Sequence, residues 1–138
     1  MTNEAAGPTA ASDKHILVVD DDLPIRTIVA MALEQEGYQV VTASNGQDAL
    51  NNILRSIPDA IVLDLMMPVL DGRQLIKVLR AEAATRDIPI IVLSAAYDAA
   101  SDPVVESVVV LSKPFDVSML LLLLDDALRP DAPREEDV

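Results

Sequence analysis

The 138-residue chain contains no cysteine and no tryptophan, one histidine, two tyrosines and one phenylalanine. Without cysteine, disulfides and thiolate metal sites are excluded, which fits a reducing interior. With Tyr38, Tyr97 and Phe115 as the only such rings, little is available to stack on nucleic-acid bases. Positive charge is also scarce: 10 Lys and Arg stand against 23 Asp and Glu, a formal net charge of −13. Such a surface repels phosphate backbones, which argues against direct nucleic-acid binding. No apolar run approaches the roughly 20 residues that cross a bilayer. Residues 1–13 are polar and alanine-rich with no signal-peptide core. The expectation is a cytoplasmic soluble protein with no membrane partner.

What is present is short and regular. Half of the residues are hydrophobic (51%), enough for one domain with one sizeable core. Runs at 16–19, 39–43, 60–63, 90–93 and 108–111 read as strands; the continuous, β-branched run 16–19 has the pattern of a strand buried on both faces, and 61–63 and 108–111 read as buried too. Helix-period segments lie between them. Pro24 opens the first helix, with Ile25, Ile28, Val29, Ala32 and Leu33 on its inner face and Gly37 as its stop. Ala49, Leu50, Ile53 and Leu54 form the inner face of the second, and Leu75, Ile76 and Leu79 that of the third. Asn45-Gly46 and Asp71-Gly72 read as turns. The last helix covers 117–128, with Leu120, Leu123, Leu124, Ala127 and Leu128 facing inward. Strand followed by helix, five times over, predicts an α/β fold with a parallel sheet covered on both faces. The boundaries expected are a frayed tail over 1–13, a domain over 14–129 and an acidic tail over 130–138, with no second domain.

The informative marks are at the carboxyl ends of these strands, where such sheets bind ligands. Asp20 and Asp21 follow the first strand, Asp64 the third, Ser94 the fourth and Lys113 the fifth. Three carboxylates brought together repel, and one takes up a proton unless a cation neutralises the group. Mg²⁺, which prefers oxygen ligands, would leave Asp64 ionised as an oxygen nucleophile. Phosphoryl transfer needs chiefly positioning and charge neutralisation. Lys113 offers a flexible point charge for one phosphoryl oxygen, and the Ser94 hydroxyl a hydrogen bond for another. Each residue alone has a bland reading. Asp20 to Asp22 could merely cap a helix, Asp64 could be a turn residue, and Lys113 a solvated lysine. Four strand ends marked in this order are harder to explain that way.

The stretches His15-Ile-Leu-Val-Val-Asp-Asp-Asp22, Ile61-Val-Leu-Asp-Leu-Met-Met-Pro-Val-Leu-Asp-Gly72, Ile90-Ile-Val-Leu-Ser-Ala95 and Leu111-Ser-Lys-Pro-Phe115 resemble the receiver domain of two-component response regulators, the CheY-like family. The resemblance runs over about residues 14–129. It implies a (βα)₅ flavodoxin-like, doubly wound parallel sheet of strand order 2-1-3-4-5. It also implies that Asp64 is phosphorylated by a sensor histidine kinase or a phosphotransfer protein. Asp20, Asp21, Asp64 and the backbone carbonyl of Met66 would hold Mg²⁺. Ser94 and Lys113 would sense the phosphoryl group, with Pro114 as a cis proline. The expected role is a single-domain response regulator that signals by contact with an effector protein, catalysing nothing beyond its own phosphorylation and dephosphorylation.

Several positions depart from that pattern. Val110 stands where the family carries its switch aromatic, so the usual coupling cannot operate in its familiar form. The segment around 98–107 has little helical periodicity, which predicts a short or irregular fourth helix. Met66 and Ala96 are apolar where a polar group would orient an attacking water, so slow autodephosphorylation is expected. On the last helix Leu122 points away from the inner face, with Met119 and Leu121 at the flanks, a surface suited to a partner or to a second copy of the chain. Two rival readings follow. One is a receiver-like binding module that signals without phosphorylation. The other is a Mg²⁺-dependent aspartyl phosphatase, disfavoured because its nucleophile would follow the first strand.

Overall fold

A strand covered on both faces needs apolar side chains at every position, and the central runs of this chain supply them. The computed structural model describes residues 14–67, 69–94 and 108–129. Within them the chain runs β1 (His15–Val19), α1 (Leu23–Gln35), β2 (Gln39–Ala43), α2 (Gly46–Arg55), β3 (Ala60–Asp64), α3 (Gly72–Ala81), β4 (Ile90–Ser94), β5 (Val109–Ser112) and α4 (Val117–Leu128). The strands form one parallel 5-stranded sheet in the order β2-β1-β3-β4-β5, the flavodoxin-like doubly wound arrangement. β3 and β4 are buried throughout, and β1 is buried at every residue but His15. The tails 1–13 and 130–138 lie outside the described residues, as does the irregular helix expected over 98–107.

Alternate side chains of each strand go to opposite faces, which divides the core in two. On one face Leu17, Val19, Leu63 and Val92 pack against Ala49 and Ile53 of α2 and Leu75, Ile76 and Leu79 of α3. On the other, Ile16, Val18, Val62 and Leu93 pack against Val29 and Leu33 of α1 and Leu120 and Leu124 of α4. Every strand therefore points its carboxyl end at the same rim. That rim carries the charges.

Local chemistry sets the helix starts. Asp22 caps α1, its side chain accepting the Ile25 N–H, with Pro24 in the first turn. Gly37, at φ 99°, takes the chain out of α1 through a conformation that suits glycine. Asn45-Gly46 and Asp71-Gly72, expected as turns, are helix beginnings instead. Asn45 caps α2, and Asp71 forms a reciprocal capping box with Gln74 at α3. The same residues favour both outcomes because their short side chains bond to nearby backbone N–H groups.

Three burial expectations need correction. Ile28 is 57% exposed and Leu54 76% exposed, so neither belongs to its helix's inner face. Both sit one residue before or after a buried position, about 100° round the helix, where an apolar side chain turns to solvent. β5 was expected to be buried, yet Val109 and Val110 are exposed. It is an edge strand, paired among the described residues with β4 alone.

Candidate functional site

At the end of β1 the ladder continues one residue further, with the Asp20 N–H on the Ala43 carbonyl at 3.2 Å. The Asp20 side chain is fully buried, and its Oδ1 accepts the Asp22 N–H at 2.9 Å. Arg26, on the first turns of α1, donates from Nη1 to the Asp20 carbonyl at 2.7 Å. Asp64 is the last residue of β3 and is 5% exposed. Its Oδ1 accepts the Met66 N–H at 3.2 Å. Carboxylate oxygens of Asp20, Asp21 and Asp64 all lie within 4.8 Å of one another, with Asp21 exposed at the rim.

β4 and β5 bring the remaining groups. Ser94 ends β4 and is 1% exposed, and its carbonyl accepts the Lys113 N–H at 2.6 Å. Lys113 Nζ lies 3.5 Å from Asp20 Oδ2 and 3.6 Å from Asp64 Oδ1. The Lys113–Pro114 peptide is cis. Five strand-end residues singled out in the sequence (Asp20, Asp21, Asp64, Ser94 and Lys113) thus come to one rim. Met66 lies just beyond Asp64 with its side chain exposed, and Val110 sits in β5 three residues before Lys113, also exposed. Ala96 lies outside the described residues.

The loop between β3 and α3 is tightly seated. A Cβ on Gly72 would lie 2.7 Å from the Leu65 Cα and 2.9 Å from the Asp64 carbonyl oxygen. A Cβ on Gly46 would meet the Leu70 carbonyl oxygen at 2.0 Å. Only glycine allows both helix starts to press on the loop that follows Asp64. Val69, in the same loop, has φ 72°, a conformation that costs a β-branched residue about 1–3 kcal/mol. Nothing in the local sequence signals this, because valine favours extended backbone.

Electrostatics follow from the geometry. Burial, and then the neighbouring charge of Asp20, raise the Asp64 carboxyl to about 6, against the pull of Lys113 and the Met66 N–H. Among the described residues two buried carboxylates face a single ammonium, so negative charge is in excess. An oxygen-only donor set with excess negative charge suits a hard divalent cation, and the residues present fit Mg²⁺.

Residues 16–125 match the response regulator receiver domain family. The chain belongs to that family. Among solved structures, this receiver is similar to the Francisella response regulator 1452 receiver domain, with 32% identity, a TM-score of 0.75, and coverage of 83% of this chain and 96% of that one. It is similar also to the Vibrio cholerae chemotaxis protein CheY4, with 30% identity, a TM-score of 0.77, and coverage of 83% and 98%. Among curated relatives, the phosphate regulon transcriptional regulatory protein PhoB of Klebsiella pneumoniae is 48% identical over 82 residues, 59% of this chain and 36% of that protein. The PhoB protein of Pseudomonas aeruginosa is 37% identical over 129 residues, 90% of this chain and 56% of that protein. The receiver thus spans between about a third and just over half of the length of these two regulators, as those coverages show. Among the described residues no helix is long and apolar enough to cross a membrane.

One site residue and one residue of α4 escaped the sequence reading. Arg26 was not singled out in the sequence, since its target lies six positions back, before α1 begins. Leu121, expected with Met119 at the flanks of Leu122 on a partner surface, is partly buried against the core that includes α1, while Met119 and Leu122 are exposed.

Proposed function

We propose that Asp64 is the phosphoryl acceptor of this receiver. The observation that carries the reading is the convergence of Asp20, Asp21 and Asp64 within 4.8 Å, with Lys113 Nζ reaching two of them. The donor is a phosphohistidine on a sensor histidine kinase or a phosphotransfer protein. An ionised Asp64 oxygen attacks phosphorus, the new O–P bond forms, and the N–P bond of the donor breaks. The electron pair returns to the imidazole nitrogen, which then takes up a proton. Lys113 leaves the carboxylates for a phosphoryl oxygen, and the buried Ser94 hydroxyl donates to another. Mg²⁺ held by Asp20, Asp21, Asp64 and the Met66 carbonyl would neutralise the gathered negative charge. The protein is then a cytoplasmic signalling phosphoacceptor, not a turnover enzyme.

Output in this reading is a protein contact, with an effector or a second copy, through the exposed Met119 and Leu122 of α4 and the neighbouring β5. Val110, at the family's switch position, has no ring to swing inward, so transmission relies on displacement of Lys113 and the strand that carries it.

The test uses acetyl phosphate with Mg²⁺ and intact-mass measurement of wild type and Asp64→Ala. A phosphoryl adduct on wild type, absent from Asp64→Ala, is the expected result. No adduct on either protein would move the assignment to a receiver-like module that signals without phosphorylation.

A further inference from the structure

We infer that Arg26 is a positioning residue for the cation site, acting through the peptide that joins Asp20 to Asp21. This rests on the receiver reading above and deepens it. The carbonyl that Arg26 holds at 2.7 Å belongs to that peptide unit. Its orientation sets the direction in which the chain presents the next residue, Asp21. The Asp21 carboxylate is exposed, and no hydrogen bond or ion pair joins it to any other described residue. Among the described residues its place within 4.8 Å of the Asp20 and Asp64 oxygens therefore follows from the course of its own backbone, with no side-chain partner holding it.

That backbone is held from two sides. The Asp20 N–H is fixed by the Ala43 carbonyl of β2, but β2 ends at Ala43, so the ladder offers no partner for the Asp20 carbonyl. A carbonyl left unpaired beside a buried carboxylate would lose a hydrogen bond and could rotate to find water. The guanidinium supplies a charge-assisted bond and removes that freedom. It is partly buried and reaches from α1, whereas Lys113 reaches from the end of β5. Lys113 lies against both carboxylates directly; among the described residues Arg26 pairs with neither and acts on their support through the Asp20 carbonyl. Groups that orient metal ligands in this way typically change affinity by tenfold or more when removed.

The experiment titrates Mg²⁺ alone into wild type, Arg26→Met and Arg26→Lys by calorimetry, beside urea denaturation of each protein without the cation. Methionine keeps the apolar stem and helix propensity but removes the donor. Arg26→Met is expected to bind Mg²⁺ about tenfold more weakly, with Arg26→Lys recovering to within about threefold of wild type. If Arg26→Met does not fold, Arg26→Gln, which keeps most of the stem, carries the same comparison. Lowered stability in urea with unchanged Mg²⁺ affinity would make Arg26 merely structural and overturn the inference. Wild type that binds no Mg²⁺ would overturn the cation site itself, a result readily told apart from the first.

Discussion

A carboxylate that is 5% exposed and faces a second buried carboxylate resists ionisation, and Asp64 accordingly sits at about 6 instead of near 4. The folded protein holds this proton more tightly than the unfolded chain does. Its contribution to stability is therefore present below pH 4 and is lost as pH rises through 6. Without a cation, Asp64→Asn should be more stable than wild type at pH 7.5 by about 2 kcal/mol, the gap closing as pH falls to 4 and shrinking when Mg²⁺ is added. Urea denaturation at both pH values checks this, and a gap independent of pH would count against it. At this scale the acidic residues and Lys113 were legible because charge at the end of a buried run has few structural uses. Arg26 and Val69 were not. The first acts through a side-chain bond to a backbone carbonyl outside its own helix, and the second holds a positive φ that its residue type disfavours.

Among the elements, α4 gives the clearest contrast between the two sides of one helix. Leu124 is fully buried between α1 and the sheet, while Leu122, two residues earlier, is 63% exposed. Leu124→Ala should cost about 2–5 kcal/mol in urea denaturation. Leu122→Glu should change stability by no more than about 0.5 kcal/mol while abolishing any phosphorylation-dependent self-association seen by sedimentation. Persistence of that association in Leu122→Glu would remove α4 as the contact surface. Strand positions were readable because unbroken apolar runs between helix-period segments leave few alternatives. Helix faces were readable at their centres, as Leu75, Ile76 and Leu79 show, but not at their margins. Residue type does not tell Ile28 and Leu54 from their buried neighbours, because the angular limit of burial depends on what packs alongside. The helix starts at Asn45 and Asp71 were read as turns for a related reason, since capping and turn formation draw on the same side-chain chemistry.

For the whole molecule, the order β2-β1-β3-β4-β5 puts the ends of β1 and β3 next to each other, and β4 and β5 beside them, on one rim. A chain of net charge −13 gathers three carboxylates at that rim with one lysine against two of them, and on the proposed reading this excess charge calls for a cation before a phosphoryl group can approach. Sequence order alone could not give this juxtaposition, because Asp20, Asp64 and Lys113 are far apart in the chain and meet only through the parallel topology. The most direct measurement is the rate at which acetyl phosphate forms the phosphoryl adduct on wild type as Mg²⁺ is raised from zero, in chelator-treated protein, followed by intact mass. A rate near zero without Mg²⁺ that climbs and saturates is the expected result. Adduct formation at the same rate with and without Mg²⁺ would contradict a cation-assembled phosphoryl site.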